Sequence, residues 1–316
     1  MKKTLKWIFS ILFLLIILLV SVPFLFKGKI VAAVKDAANK NIDARLDFKD
    51  VDVSLIRSFP KLSIGLEGLQ ILNNAPFEDD TLISAGMITV SVDIMSVING
   101  KEIIVRSVEL DKARINLKVN KDGKANWDIA KQTPPSEKTE QPTTFKASLQ
   151  RYAISNSYLM YDDRSLDFHM ALNGLEHEGS GDFTQDLFTL STFTKSQQAF
   201  VSYEKIPYVA GAVAEIKADL DMDMKGMKFT FKKNEAKLND FMISVDGFVA
   251  MPDTNIDMEL KFATPKTDFK TFLSMIPAIY SNDFKGLTAS GTVGLDALLK
   301  GRYNSESMPG FSLQLK

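Results

Sequence analysis

The chain has 316 residues, with 38 basic against 39 acidic side chains, two histidines and no cysteine. A formal net charge of −1 gives no electrostatic basis for binding nucleic acid. The lack of cysteine excludes disulfides, thiolate zinc sites and thiol catalysis from this chain, and two histidines leave little for imidazole chemistry.

The first element in chain order is Trp7–Phe26, uncharged and rich in Leu, Ile and Phe. As a helix it reaches roughly 30 Å, the thickness of a bilayer's hydrocarbon core. It exceeds the about 7–15 apolar residues of a signal-peptide core, and Lys27 and Lys29 close it where a cleavage site would fall. Residues 1–27 therefore read as a retained single-pass anchor. The short tail carrying Lys2, Lys3 and Lys6 argues for a cytoplasmic N-terminus and an exported bulk.

Residues 28–44 read as an amphipathic helix, because Ile30, Val31, Val34, Ala37 and Ala38 recur at three- and four-residue spacing. From residue 45 the period becomes two. Leu46 and Phe48 alternate with polar neighbours, then Val51 and Val53 resume out of phase, which predicts a bulge near Lys49–Asp50. Leu62, Ile64 and Leu66 share a face until Gly68, and Val90, Val92 and Ile94 share another. A short helical turn follows at Met95–Asn99. Ile115, Leu117 and Val119 run into Asp122-Gly123, a strong hairpin signal, and Trp127 pins that hairpin end. Residues 45–130 thus read as a meander of short antiparallel strands.

Residues 131–144, built from Pro, Thr, Glu, Lys and Gln, read as a polar linker between two segments or a loop inserted in one sheet. Over 145–316 strands resume at Phe145–Ile154, Tyr158–Tyr161, Phe183–Phe193, Phe200–Tyr203, Ala214–Met224 and beyond, with one helix at Asp268–Ile279. In ADLDMDM, Leu220, Met222 and Met224 share one face and Asp219, Asp221 and Asp223 the other. The chain stops in mid-alternation at GFSLQLK, which reads as the N-terminal piece of a longer protein. The expected fold is mostly β: an N-terminal transmembrane helix, then an elongated, curled antiparallel sheet with a few short helices. Each strand has one greasy face, so the sheet must close as a sandwich or bend into an apolar trough.

The ordered set Val53-Ser54-Leu55 with Pro60, Gly68-Leu69, Val92-Asp93-Ile94 with Gly100, and Asp122-Gly123 before Asn126-Trp127 resembles the opening of the AsmA family of envelope proteins. The resemblance covers residues 1–130. Beyond 145 only the strand-rich style and the helix near residue 272 are shared. It implies a bacterial inner-membrane anchor and a periplasmic β-groove. It also implies a part in moving phospholipid toward the outer membrane, with the inner membrane and phospholipid as partners. No catalytic residue, cofactor or metal comes with it. About fifteen strands at a spacing of 4.8 Å would make roughly 70 Å of trough. The lipid-facing candidates are Leu62, Ile64, Leu66, Val90, Val92, Ile94, Ile115, Leu117, Val119, Leu220, Met222 and Met224.

The three aspartates lack a loop to converge them on a cation, so they read as a solvated face. His169 and His177 read as surface residues. The alternative function is an anchored scaffold or assembly factor that affects outer-membrane protein targeting and engages outer-membrane assembly components. It would have a closed core and a protein-binding edge strand.

Overall fold

The computed structural model describes residues 42–54, 61–78, 80–93, 95–96, 102–131, 144–253, 255–273, 290–304 and 306–316, with positions 28, 31, 35, 39 and 40. The anchor expected at 7–26, Ile94, most of the polar stretch 131–144 and the second half of the helix expected at 268–279 lie outside the described residues. Positions 28, 31, 35, 39 and 40 are helical. Among the described residues no helix is long and apolar enough to cross a membrane.

Among the described residues seventeen strands follow in chain order: β1 (Ala44–Asp47), β2 (Asp50–Ser54), β3 (Lys61–Asn73), β4 (Thr81–Asp93), β5 (Glu102–Asp111), β6 (Arg114–Val119) and β7 (Thr144–Asp163) come first. Next are β8 (Phe168–Ser180), β9 (Leu187–Tyr203), β10 (Ile206–Asp223), β11 (Lys228–Leu238), β12 (Phe241–Ala250) and β13 (Ile256–Ala263). The last are β14 (Thr267–Asp268), β15 (Thr292–Val293), β16 (Leu295–Tyr303) and β17 (Gly310–Leu315). Fifteen of them form one curled sheet; β14 and β15 pair separately beside a short helix, Phe269–Leu273. Asp268 caps that helix by accepting a hydrogen bond from the Lys270 amide at 2.7 Å.

Across the sheet the order is β1-β3-β4-β5-β7, then β8 through β13, β16 and β17. β2 continues β1 alongside β3, and β6 continues β5 between β4 and β7. The sheet is therefore thirteen strands wide, and twelve spacings of about 4.8 Å span some 58 Å. That is shorter than expected, because two strands extend others lengthwise.

The purely antiparallel meander is also corrected. β5 and β6 both pair parallel with β7. Parallel neighbours need a connection that returns the full strand length, and the chain from Asn120 to Thr144 makes that return. Several strands run longer than their alternation shows. The stretches expected at 145–154 and 158–161 are one strand, β7; residues 200–203 end β9; β10 starts at Ile206, ahead of Ala214. Phe183 lies in the turn before β9.

Bulges account for these merged strands, because an extra residue resets the alternation without ending the strand. They are aligned. The β1–β2 break at Phe48–Lys49 faces Gly68 of β3, whose φ is 63°. Next in line come Gly86, Lys112 between β5 and β6, Asn156 in β7 and Gly174 in β8. The last is Gln197 in β9, level with Val213 of β10, where the register shifts. Lys49 donates to Glu67 O, Gly86 to Lys112 O and Lys112 to Ser155 O, so the line is hydrogen-bonded from strand to strand. Beside it on one face lie Leu69, Ala85, Ala113, Ser157, Leu175, Ser196, Ala199 and Ala212, all buried. A line of bulges bends the strands from β1 to β10 along one line, and small residues let the sheet close around the bend.

Candidate functional site

Residues directly opposite in a ladder share a face, so the register traces which side chains meet across the sheet. Phe188 of β9 stands opposite Met222 of β10, then Phe229, Val249 and Met258 on the next three strands. One row along, Leu190, Leu220, Phe231, Gly247, Leu260, Leu299 and Phe311 cross from β9 to β17. Both rows are apolar throughout and lie on the face that holds the buried line.

The opposite face is polar and laced with ion pairs. Asp257 takes a bidentate contact from Arg302 at 2.6 and 2.8 Å, Lys300 meets Glu259 at 2.8 Å and Lys232 meets Asp221 at 2.7 Å. Asp219 and Asp221 accept hydrogen bonds from Ser191 and Thr189 across the ladder, at 2.7 and 2.9 Å. Such exposed pairs add little stability individually. Their placement fixes which side of the sheet meets water.

Burial divides the apolar face into two regimes. At the N-terminal end Phe48, Val51, Leu69, Ala85, Ala113 and Ile115 form a closed core, and Val31 of the helical segment packs against it. Past residue 170 the buried apolar residues among those described are Ala171, Leu175, Ala199, Ala212, Ala218 and Val293. No Phe, Ile or Met is among them, so the large side chains of β9–β17 stand half-buried or exposed. Phe311 is 65% exposed and Leu313 51%. Among the described residues no second sheet covers these rows.

The sequence candidates divide accordingly. Ile115, Val92 and Val119 are buried, while Ile64, Leu66 and Leu117 pack against the closed core. Leu62 pairs with Val92 and Ile64 with Val90 on the same face. Leu220 and Met222 lie on the open part. Met224 does not share their ladder: it follows the last residue of β10, 45% exposed in the turn. Alternation carried past a strand end cannot show where pairing stops. Phe188, Leu190, Phe229, Phe231, Val249, Leu260 and Phe262, which extend the open face, are absent from the sequence list. Their alternation is visible, but their alignment depends on register.

His177 is the main correction, for it is no surface residue. It is half-buried on the apolar face, its Nδ1 2.8 Å from Thr194 Oγ1 and its Nε2 3.3 Å from the Tyr152 hydroxyl. Burial lowers its pKa below the ordinary 6.5, against the opposing pull of the Glu178 charge. The Tyr152 and His177 rings lie 5.3 Å apart, Tyr152 meets Phe183 edge-on at 6.0 Å, and Phe183 meets Phe188 at 4.8 Å. His169 is half-exposed, 3.7 Å from Asp162.

Two other features carry less chemistry. An open cavity of about 610 Å³ on the polar face is lined by Arg151, Glu178, Phe193, Lys217 and Asp219. Its cations are already matched, Arg151 by Glu178 at 3.1 Å and Lys217 by Glu215 at 3.5 Å. Among the described residues no cluster of His, Asp or Glu is arranged to hold a metal ion.

A single curled sheet, with a packed core at one end and apolar along one face, defines a class of β-sheet proteins with an exposed greasy surface. The chain belongs to the AsmA family, whose sequence model matches residues 1–266. The family is one of envelope-associated proteins. A comparison with curated proteins finds no significant match.

Proposed function

We propose that the chain is a membrane-anchored envelope protein whose apolar face forms a trough for the acyl chains of phospholipid, and that it binds or conducts lipid between membranes. The observation that carries this reading is the row Leu190–Leu220–Phe231–Leu260–Leu299–Phe311, apolar across strands β9–β17 yet not buried. A folded protein normally hides such a surface, and large exposed apolar patches mark binding sites. An acyl chain laid along it gains about 0.8 kcal/mol per methylene removed from water. Charged head groups would stay at the open seam. Transfer then needs no bond chemistry, and the chain is not an enzyme in this reading.

The span 7–26 anchors the protein in the inner membrane, N-terminus inside, and the sheet stands in the periplasm. Native mass spectrometry of the full chain in a mild detergent, with phospholipid offered, tests the trough. Adducts of phospholipid mass that vanish on unfolding are expected. A folded protein that takes up no lipid at saturating supply would overturn the reading.

One observation favours the scaffold alternative. Among the described residues β17 pairs with β16 alone and all six of its residues are exposed, an edge to which another strand could add. In that case a protein partner, and no lipid, would accompany the purified chain.

A further inference from the structure

Polar side chains interrupt the apolar face in the middle strands. Along the row that crosses the middle strands, Leu110 and Ile154 lie on one side and Ile216 and Ala236 on the other. Between them stand His177 and Thr194, directly opposite each other. Tyr152, from the adjacent row, reaches His177 over Gly179.

The hydrogens of this trio can be counted. A neutral imidazole carries one N–H, and Tyr152 and Thr194 carry one O–H each. The chain Thr194–His177–Tyr152 contains two hydrogen bonds, at 2.8 and 3.3 Å. If Thr194 donates to Nδ1, Nε2–H donates to the phenol oxygen and the phenol hydrogen is left over. In the other tautomer Tyr152 donates to Nε2, Nδ1–H donates to Thr194, and the threonine hydrogen is left over. Either way the trio holds one more donor than it uses. Among the described residues neither hydroxyl has another partner.

An unmatched donor on a greasy surface calls for an acceptor, since leaving it unpaired once water is displaced carries a desolvation penalty. The acceptor that suits it is neutral. The basic residues nearest the trio, Arg151, Lys195 and Lys217, belong to the opposite face, where Arg151 meets Glu178 and Lys195 meets Glu215. A phosphate would lack a counter-charge here, whereas an ester carbonyl needs only a hydrogen. We propose that Tyr152, His177 and Thr194 form a binding site for the ester carbonyl of an acyl lipid. The site sets where along the trough a lipid stops. This rests on the lipid reading above and fails separately from it.

The test is a competition, read by native mass spectrometry on the full chain, between a diester phosphatidylcholine and its diether analogue with equal chains. The two share the phosphate and the hydrocarbon and differ in the carbonyls. The wild-type chain should favour the diester by about three- to tenfold, the worth of one net hydrogen bond. Tyr152→Phe with His177→Phe and Thr194→Val removes all three donors and should bring the ratio to one while diether binding persists. If that variant does not fold, the infrared carbonyl stretch of a carbon-13 ester-labelled lipid bound to the wild type should lie at the lower frequency of a hydrogen-bonded ester. Equal uptake of both lipids by the wild type, a preference that survives in the triple variant, or an unshifted carbonyl stretch overturns the carbonyl site and leaves the trough standing. Uptake of neither lipid overturns both.

Discussion

A Cβ built on Gly179 would stand 2.3 Å from Cζ of Tyr152, so the phenol ring occupies the space that a side chain at this position would fill. The absence of a side chain in β8 is therefore what lets Tyr152 reach His177. Gly179→Ala should displace the ring, break the contact with His177 Nε2 and cost about 1–3 kcal/mol. In a Tyr152→Ala background the same change should be neutral or stabilising, because alanine is the better strand residue once the ring is gone. Thermal or denaturant unfolding of the four-member cycle measures the coupling.

Gly247 and Gly123 both have positive φ, 118° and 76°, but a side chain would meet different surroundings. At Gly247 a Cβ would come 1.8 Å from the carbonyl oxygen of Glu259 on the paired strand β13, and backbone cannot step aside. At Gly123 nothing lies within 4 Å. Gly247→Ala should cost about 2–4 kcal/mol and loosen the β12–β13 ladder, whereas Gly123→Ala should cost about 1 kcal/mol, the conformational strain alone. Equal losses in unfolding experiments would contradict the assigned register.

The burial that lowers the His177 pKa makes stability depend on pH in a defined window. Between the lowered folded value and the ordinary 6.5, the unfolded chain binds more protons than the folded one. Stability from this group is thus complete above 6.5 and declines as the pH falls through the window. Asp93 and Asp163 contribute separately: the Ser96 amide holds Asp93 below 3.8 against its desolvation, and at Asp163 burial opposes the ionised form but hydrogen bonds from Ser165 and Tyr161 outweigh it, so their effect is lost only in more acidic solution. Melting temperature measured from pH 7.5 to pH 5 should fall, and His177→Gln should flatten that slope while leaving the fall below pH 4.

The closed core and the open face should answer differently to the same kind of change. Leu69, buried at 4% exposure, should cost about 2–5 kcal/mol on truncation to alanine. Met222, half-buried on the uncovered rows, should cost about 1 kcal/mol or less. Met222→Asp should preserve the circular dichroism spectrum and reduce lipid uptake, because a carboxylate there keeps its water. A chain unfolded by Met222→Asp would show that a second layer covers this face.

Much was legible along the chain because alternation is a local property. The faces of Leu62–Leu66 and Leu220–Met222, the phase break at Lys49–Asp50, the Asp122-Gly123 turn and the family resemblance all follow from residues within a few positions of each other. The parallel step from β5 and β6 to β7 left no such mark, since a strand's own pattern is the same whichever way its neighbour runs. Nor did the alignment of Gly68, Asn156 and Gly174 into one line of bulges, which depends on how far each strand slides against the next. The meeting of Tyr152, His177 and Thr194 was hidden for the same reason: each stands on a different strand. Composition and periodicity determined a β-sheet protein with one greasy face. Only the tertiary register decided where that face is closed, where it lies open, and where Tyr152, His177 and Thr194 come together on it.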